Sequence, residues 1–178
     1  MKIAIEAQRI FRPDKHGMDF VALETIRELQ KRNDGNEYYI IVAPGKDHCL
    51  EESANLSIVE VVCPTYPLWE QIALPLAVKR LGADLLHCTS NTAPLCCPVP
   101  LVLTLHDIIY LEPRQQRSPS LYQEMGRHYR RLTVPRILKK CRKIITVSHF
   151  ERNRIRKALN IPADRITTIY NGYSRHFR

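Results

Sequence analysis

The chain has 178 residues, which is enough for one domain with a full hydrophobic core. Hydrophobic residues make up 44% of it and charged residues 25%, a balance that excludes disordered and fibrous classes. No apolar run approaches the roughly 20 residues that span a bilayer, and the N-terminus lacks the apolar core of a secretory signal, so we expect a cytoplasmic protein.

The formal net charge of +9 comes from one segment of the chain. Between Arg114 and Lys143 there are ten basic residues and one acidic residue, whereas the rest of the chain carries 17 of each sign. Such a block predicts an anionic partner, which is a phosphate group, an acidic membrane surface or nucleic acid, although a basic run is most often a solvated helix face. Nucleic acid is the least favoured partner, because the run holds few aromatic residues and no nucleic-acid-binding motif.

The predicted elements alternate between strands and helices along the whole chain. Apolar, β-branched runs predict strands at residues 3–5, 38–42, 57–62, 85–88, 101–105, 143–147 and 166–170. Helical periodicity predicts helices over residues 18–32, 68–81, 118–140 and 149–160. Because this alternation implies right-handed crossovers, we expect an α/β fold: a Rossmann-like, doubly wound, mainly parallel sheet of about seven strands with helices on both faces.

Local signals define the faces and ends of the predicted helices. In the second helix Pro75 should cause a kink, and Gly82 suits the left-handed residue that follows a helix. The third helix should begin at Ser118–Pro119 and bend at Pro135, and a capping box at Ser148 opens the fourth. In the first helix, the spacing of Phe20, Leu23, Ile26 and Leu29 predicts that they share one face.

Polar residues concentrate where the predicted strands end. Ligands of open α/β sheets bind at the carboxyl ends of the strands. His106 and Asp107 follow the fifth strand directly, where a histidine can donate a hydrogen bond or move a proton near neutral pH. The alternative is structural, with His106 capping the strand and bonding to Asp107. The five loops predicted at this edge are residues 8–17, 89–94, 106–111, 148–149 and 171–173.

Two of these loops contain further candidate ligand-binding residues. His16 and Gly17 precede the first helix, where a glycine lets backbone amides approach a phosphate or simply makes a tight turn. Ser90 and Asn91, with Thr92, offer hydroxyls and an amide to a sugar, or form an Asx-type turn. The sequence has no dinucleotide-binding or P-loop glycine motif, nucleophile elbow, metal-ligand spacing or CxxC pair. We therefore expect no metal, cofactor or disulfide framework.

Several segments, in this order and spacing, resemble the N-terminal domain of glycosyltransferase family 4, whose members are retaining nucleotide-sugar enzymes with the two-domain GT-B fold. The resemblance covers essentially the whole chain. It rests on residues 3–9 (IAIEAQR), 15–20 (KHGMDF), 68–71 (LWEQ), 84–87 (DLLH) with Ser90 and Asn91, 104–107 (TLHD), 145–148 (ITVS) with 150–151 (FE), and 169–172 (IYNG).

The resemblance implies that residues 1–178 form one Rossmann-like domain on the acceptor side of a GT-B enzyme. His106 is then the catalytic residue that contacts the transferring sugar, and His16 and Gly17 lie near the donor diphosphate. Transfer retains the anomeric configuration without a metal, and the departing phosphate helps to deprotonate the acceptor hydroxyl. The residues assigned to the acceptor or sugar are Ser90, Asn91, Asp107 and Ser148.

The implied partners are a nucleotide-sugar donor and a glycan or lipid-linked sugar acceptor. A lipid-linked acceptor would place the protein peripherally at the inner face of the membrane, as expected of an enzyme of polysaccharide biosynthesis. The amphipathic basic helix offers a surface for an anionic membrane or a phosphorylated acceptor. Its candidate residues are Arg127, Arg130, Arg131, Lys139 and Lys140.

Three features depart from the family pattern. His16 stands where the family often has a glycine, Ser174 replaces the usual acid after the Asn–Gly turn, and the donor-binding half is absent. We therefore expect that the 178-residue chain alone transfers no sugar. The alternative function is a non-enzymatic module that docks on an anionic partner through the basic helix, with His106 in a structural role.

Overall fold

A computed structural model describes residues 1–112 and 121–172, and within them seven strands form one sheet in which every pairing is parallel. This confirms the predicted Rossmann-like α/β fold. The strands are β1 (Lys2–Glu6), β2 (Glu37–Val42), β3 (Leu56–Glu60), β4 (Leu85–Cys88), β5 (Leu101–Thr104), β6 (Lys143–Thr146) and β7 (Ile166–Thr168). The helices are α1 (Gly17–Gln30), α2 (Tyr66–Leu68), α3 (Leu74–Leu81), α4 (Leu121–Lys140) and α5 (His149–Leu159).

The strand order is β3-β2-β1-β4-β5-β6-β7, so the direction of winding reverses between β1 and β4. Such a switch point leaves a crevice at the carboxyl ends of the two strands. Glu6 pairs with Cys88 in register, so β1 and β4 end level with each other. The loops after β1, β4, β5, β6 and β7 follow one another along one edge, as predicted, although Tyr173 and Ser174 lie outside the described residues.

Two apolar layers cover the two faces of the sheet. One layer joins α1 to β1 and β2 through Leu23, Ile26 and Ile40. The other joins α3, α4 and α5 to the sheet and includes Leu74, Ile137, Ile155, Leu86 and Leu103. Right-handed crossovers produce this division, because the chain moves in opposite directions from β1 on the two sides of the switch point.

The prediction that Phe20 shares one face of α1 with Leu23 and Ile26 was wrong, because Phe20 is 52% exposed. The buried residues of this helix are Asp19, Ala22, Leu23 and Ile26. A spacing of three residues turns by less than a full helical turn of 3.6, so a run with that spacing drifts around the helix. Phe20 therefore falls outside the stripe that faces the sheet.

The predicted helix over residues 68–81 begins earlier and contains a π-helical segment, Trp69–Ala73, between α2 and α3. Pro75 lies two residues after this segment, and a proline cannot donate to the carbonyl one turn before it. The wider turn accommodates the missing bond in place of a simple kink. It also leaves Trp69 and Glu70 both buried. The helix ends as predicted, at Gly82 with a φ of 62°.

The remaining predicted ends agree closely with the structure. The hydroxyl of Ser148 accepts a hydrogen bond from the amide of Glu151 at 3.1 Å, which confirms the N-cap of α5. The predicted cap Ser118–Pro119 lies outside the described residues, and Pro135 lies inside α4. Strands β3, β5, β6 and β7 end one or two residues earlier than predicted, at Glu60, Thr104, Thr146 and Thr168.

The loop after β2 packs tightly against the loop between β1 and α1. The amide of Asp47 donates to the carbonyl of Phe11 at 3.0 Å, and the Asp47 carboxylate pairs with the nearly buried ammonium of Lys15. A Cβ atom at Gly45 would lie 2.1 Å from the Phe11 oxygen, so only glycine permits this approach. The loop after β2 therefore fixes the position of the loop that leads into α1.

We expect Gly45→Ala to lower the free energy of unfolding by about 1–3 kcal/mol, because the added methyl group forces the two loops apart. Gly126→Ala is the matched control, since its Cβ would meet no atom within 4 Å, and in the interior of α4 it should raise stability by about 0.5–1 kcal/mol. Urea denaturation measures both. Equal effects of the two substitutions would contradict the tight packing at Gly45.

Candidate functional site

His106 lies buried at the end of β5 and is fixed through both its backbone and its ring. Its amide donates to Oδ1 of Asn91 at 2.6 Å, and its Nε2 lies 2.9 Å from the carbonyl oxygen of Thr89. Because a carbonyl oxygen only accepts, Nε2 carries the proton and Nδ1 of the neutral ring is an acceptor. Burial lowers the pKa of His106, so the ring is neutral at neutral pH.

The loop between β4 and β5 supplies these contacts. Asn91 adopts a left-handed conformation with a φ of 66°, and its amide donates to the carbonyl of Thr104 at 3.2 Å. Its side-chain oxygen is already bonded to His106, so Asn91 joins the loop to the end of β5. The half-buried Ser90 hydroxyl lies 3.4 Å from that of Thr89 and is the more accessible member of the predicted sugar-binding pair.

Asp107 and Ser148 lie in the neighbouring loops after β5 and β6. Oδ1 of Asp107 accepts a hydrogen bond from the amide of Ile109 at 3.1 Å, which starts the turn Ile109–Leu111. Burial and the charge of Asp107 raise the pKa of Glu151 in the first turn of α5. The structure therefore places Asp107 close to the end of α5 that Ser148 caps.

His16 and Gly17 form the start of α1, at the same edge of the sheet. The amide of His16 donates to Oδ2 of the buried Asp19 at 2.7 Å, and Arg12 pairs with the same oxygen at 2.5 Å. Gly17 is exposed and has open space around its Cα, so no packing in the described chain requires a glycine there. No described contact joins His16 or Gly17 to the loops that surround His106.

The cations of α4 do not form one free surface. Nε of Arg127 and of Arg131 donates to the carbonyl of Tyr110 at 3.1 Å and 2.8 Å respectively. Arg131 also reaches the carbonyl of Leu111 at 3.3 Å, and Arg127 that of Glu112. We call Arg127 and Arg131 the arginine clamp, because together they hold the turn that follows His106.

The other three candidate cations of α4 differ in their surroundings. Nζ of Lys140 donates to the carbonyl of Leu95 at 2.8 Å, which ties the end of α4 to the β4–β5 connection. Arg130 is half-buried, and Lys139 is exposed on the helix surface. Of the five predicted cations, three thus contact backbone carbonyls of the domain itself.

A buried acidic cluster, which the sequence did not predict as a site, lies beside the switch point. Glu70 is 1% exposed, and both of its carboxylate oxygens are bonded. The hydroxyls of Tyr66 and Tyr129 donate to it at 2.6 Å each, Nε2 of Gln71 at 3.1 Å, and the Thr92 hydroxyl makes a further short bond. We call these five residues the Glu70 cluster.

Glu6 connects the end of β1 to the β4–β5 loop, which holds His106 in place. Its carboxylate accepts from the amides of Gln8 at 3.0 Å and Thr89 at 3.2 Å, and its carbonyl accepts from the Thr89 hydroxyl at 2.8 Å. Burial raises the pKa of Glu6 to about 7, and the negative charge of Glu70 adds to the rise. Thr89 is therefore held by Glu6 on one side and holds the ring of His106 on the other.

A sequence signal existed for Glu6 but not for Glu70. Glu6 lies two residues after the buried Ala4 in β1, so the two-residue period of a strand places both side chains on the same covered face. Glu70 follows Trp69 directly, and a charged residue of a predicted helix is ordinarily expected on its polar face. The two residues lie in a π-helical segment, which helical periodicity does not predict.

Two possible features are not found in the part of the chain that the structure describes. No three histidine, cysteine, aspartate or glutamate side chains there come together in a way that could hold a metal ion. No described helix is long and apolar enough to cross a membrane. The six cysteines are free thiols, and burial raises the pKa of Cys49, Cys88, Cys97 and Cys141.

This architecture is that of a Rossmann-like glycosyltransferase domain. A solved glycosyltransferase from Rickettsia africae ESF-5 superimposes with a TM-score of 0.52 at 15% identity, over 97% of this chain and 43% of that one. At that identity the likeness concerns the fold, and the chain spans less than half of the solved protein. The sequence model of Glycosyltransferase Family 4 matches residues 16–176, so the chain belongs to that family. No curated protein matches the sequence.

We expect Glu6→Gln to change how stability depends on pH. The folded-state pKa of Glu6 is raised from 4.5 to about 7, so its protonated form contributes stability below pH 4.5 that is lost as pH rises toward about 7. From the size of this shift, wild-type stability should fall by about 3 kcal/mol more than that of Glu6→Gln across this range.

The measurement is urea denaturation of both proteins at a series of pH values. The comparison between variants cancels the opposite contribution of His87, whose pKa burial lowers to about 4. Glu24→Gln, at a partly exposed position of α1, is the matched control and should follow the wild-type curve. Parallel curves for wild type and Glu6→Gln would show that Glu6 ionises normally in the folded protein.

Proposed function

We propose that the chain is the acceptor-binding, N-terminal domain of a retaining GT-B glycosyltransferase that moves a sugar from a nucleotide-sugar to a glycan or lipid-linked acceptor. Membership of Glycosyltransferase Family 4 supports the general activity. The observation that carries the finer proposal is the fixed, neutral ring of His106 at the carboxyl edge of the sheet, beside the switch point.

The geometry of the edge suits this role. Because Nε2 of His106 is bonded to Thr89, the Nδ1 acceptor is left for a sugar hydroxyl, and Ser90, the residue after Thr89 in the β4–β5 loop, offers a hydroxyl. The open start of α1 at Gly17 offers backbone amides and the positive end of the helix dipole to the donor diphosphate. These groups are the ones with which this domain would bind and orient the sugar and the donor diphosphate.

The proposed transfer requires no metal. The bond between the sugar and the donor phosphate breaks, a new bond forms to the acceptor oxygen on the same face, and the departing phosphate takes the acceptor proton. The domain described here supplies one wall of that reaction centre. We therefore propose that it binds acceptor alone and transfers sugar only together with a donor-binding domain. Family membership favours this function over the alternative of a non-enzymatic anion-docking module.

We expect the purified 178-residue chain to bind oligosaccharide acceptors saturably and His106→Ala to weaken this binding about tenfold, the cost of one lost hydrogen bond. Isothermal titration measures the affinity and thermal unfolding reports the fold. His128→Ala, which replaces an exposed histidine of α4, is the matched control and should bind as the wild type does. A His106→Ala protein that is unfolded, or that binds normally, would favour the structural role instead.

We also propose that the domain attaches peripherally to an anionic membrane through the outer face of α4. Leu121, Met125 and Leu132 are 79%, 64% and 61% exposed, and their spacing places them on one stripe. Lys139 continues the stripe and is exposed as well. Exposed apolar residues lined by cations are typical of helices that lie in a membrane interface.

We expect the chain to co-sediment with anionic lipid vesicles at low salt, and less so at high salt, where charges are screened. Replacing Leu121, Met125 and Leu132 together by glutamine should reduce the bound fraction at least about tenfold, because each buried side chain contributes about 1.5–3 kcal/mol. Phe20→Gln, on α1 at the opposite face of the sheet, is the control. No sedimentation of the wild type at low salt would contradict attachment.

A further inference from the structure

Arg9 lies just after β1, at the switch-point end of the sheet, and its side chain is held without an ionic partner. Its guanidinium carbon lies 5.0 Å from the centroid of the Tyr66 ring. Among the described residues, no hydrogen bond or ion pair of the Arg9 side chain is formed. Arg12, three residues later in the same loop, is instead paired with Asp19 at 2.5 Å. Of the two arginines in this loop, Arg12 is therefore ion-paired, whereas Arg9 contacts an aromatic ring.

The Tyr66 ring is a fixed platform for Arg9. Its hydroxyl donates to Glu70 at 2.6 Å and lies 2.8 Å from the hydroxyl of Thr92, and its ring meets that of Tyr129 edge-on at a centroid distance of 6.3 Å. Burial raises the pKa of Tyr66 well above its ordinary value, so the hydroxyl remains a donor. A guanidinium stacked on such a ring loses little further conformational entropy when it binds a ligand.

The acids near Arg9 have their oxygens occupied by other donors. The carboxylate of Glu6 accepts from the amides of Gln8 and Thr89. The carboxylate of Glu70 accepts from the four donors of the Glu70 cluster. Glu6 interacts electrostatically with Arg9, yet neither acid forms a hydrogen bond with its N–H groups. Those groups remain free in a planar fork that matches two oxygens of a phosphate.

We propose that Arg9 binds a phosphate group of the acceptor, so that the acceptor class is a glycosyl phosphate or diphosphate. This inference rests on the proposed function and names the substrate class of the same site. The Tyr66 hydroxyl is hydrogen-bonded to Thr92, which lies in the same loop as Ser90 and Asn91. The proposed phosphate contact at Arg9 is therefore on one side of the Tyr66 side chain, and the proposed sugar contacts are on the other. Arg9 recognises the charged end of the acceptor and the β4–β5 loop its sugar.

Titrations of the whole 178-residue chain, labelled with ¹⁵N at arginine, test this directly. Glucose 1-phosphate should shift the Nε resonance of Arg9 saturably, whereas neutral glucose should not. Arg9→Met should weaken phosphate binding about tenfold or more, and Arg9→Lys, which keeps the charge but lacks the fork, should weaken it by less. Arg80→Met, at an exposed position in the last turn of α3, is the matched control.

Several outcomes would overturn the inference. Unchanged phosphate affinity in Arg9→Met and Arg9→Lys would do so, as would absence of any phosphate binding. Equal or tighter binding of glucuronate would assign the site to a carboxylate, and selective binding of uridine diphosphate would assign it to the donor. Binding of neutral oligosaccharide is measured separately, by comparing the wild type with His106→Ala. If the wild type binds oligosaccharide but the Arg9 substitutions do not change phosphate affinity, the proposed function stands and this inference fails.

Discussion

The carboxylate of Glu70 is the constraint on which the loops at the carboxyl edge of the sheet depend. A charge this deeply buried is costly unless its oxygens are fully bonded, and removing one partner leaves the rest unsatisfied. Its donors come from the helical segment itself, from the β4–β5 loop and from α4. Three elements that are distant in sequence must therefore be in place together before the carboxylate is satisfied.

This requirement extends to residues that Glu70 does not touch. The side chain of Gln71 also accepts from the amide of Leu95 at 2.8 Å and donates to the carbonyl of Ala93, so the β4–β5 loop is held at a second point. That loop provides the two contacts that orient His106. The position of the ring at the sheet edge is thus set by a polar network on the covered face, which gives the site its rigidity.

The sequence predicted the sheet well because strands and helices are local patterns, and parallel winding then follows from chirality. His106 and Asp107 were found because they end an apolar strand. The Glu70 cluster was not, since its partner Tyr129 lies 59 residues away and the π-helical segment breaks the expected period. The hydrogen bond between Asn91 and the backbone of His106 was not predicted either. The two residues are 15 positions apart, and the left-handed conformation of Asn91 has no distinct sequence signal.

The arginine clamp divides the basic block of α4 by chemistry as well as by position. Arg127 and Arg131 direct several N–H groups at adjacent carbonyls of one turn, which a lysine, with its single compact ammonium, does not reproduce. The exposed Lys139 adds positive charge to the surface, and its side chain does not hold any element of the described chain in place. Acetylation of that lysine would therefore change the electrostatic field around the domain and leave the turn after His106 intact, whereas an arginine-directed reagent would loosen the turn itself.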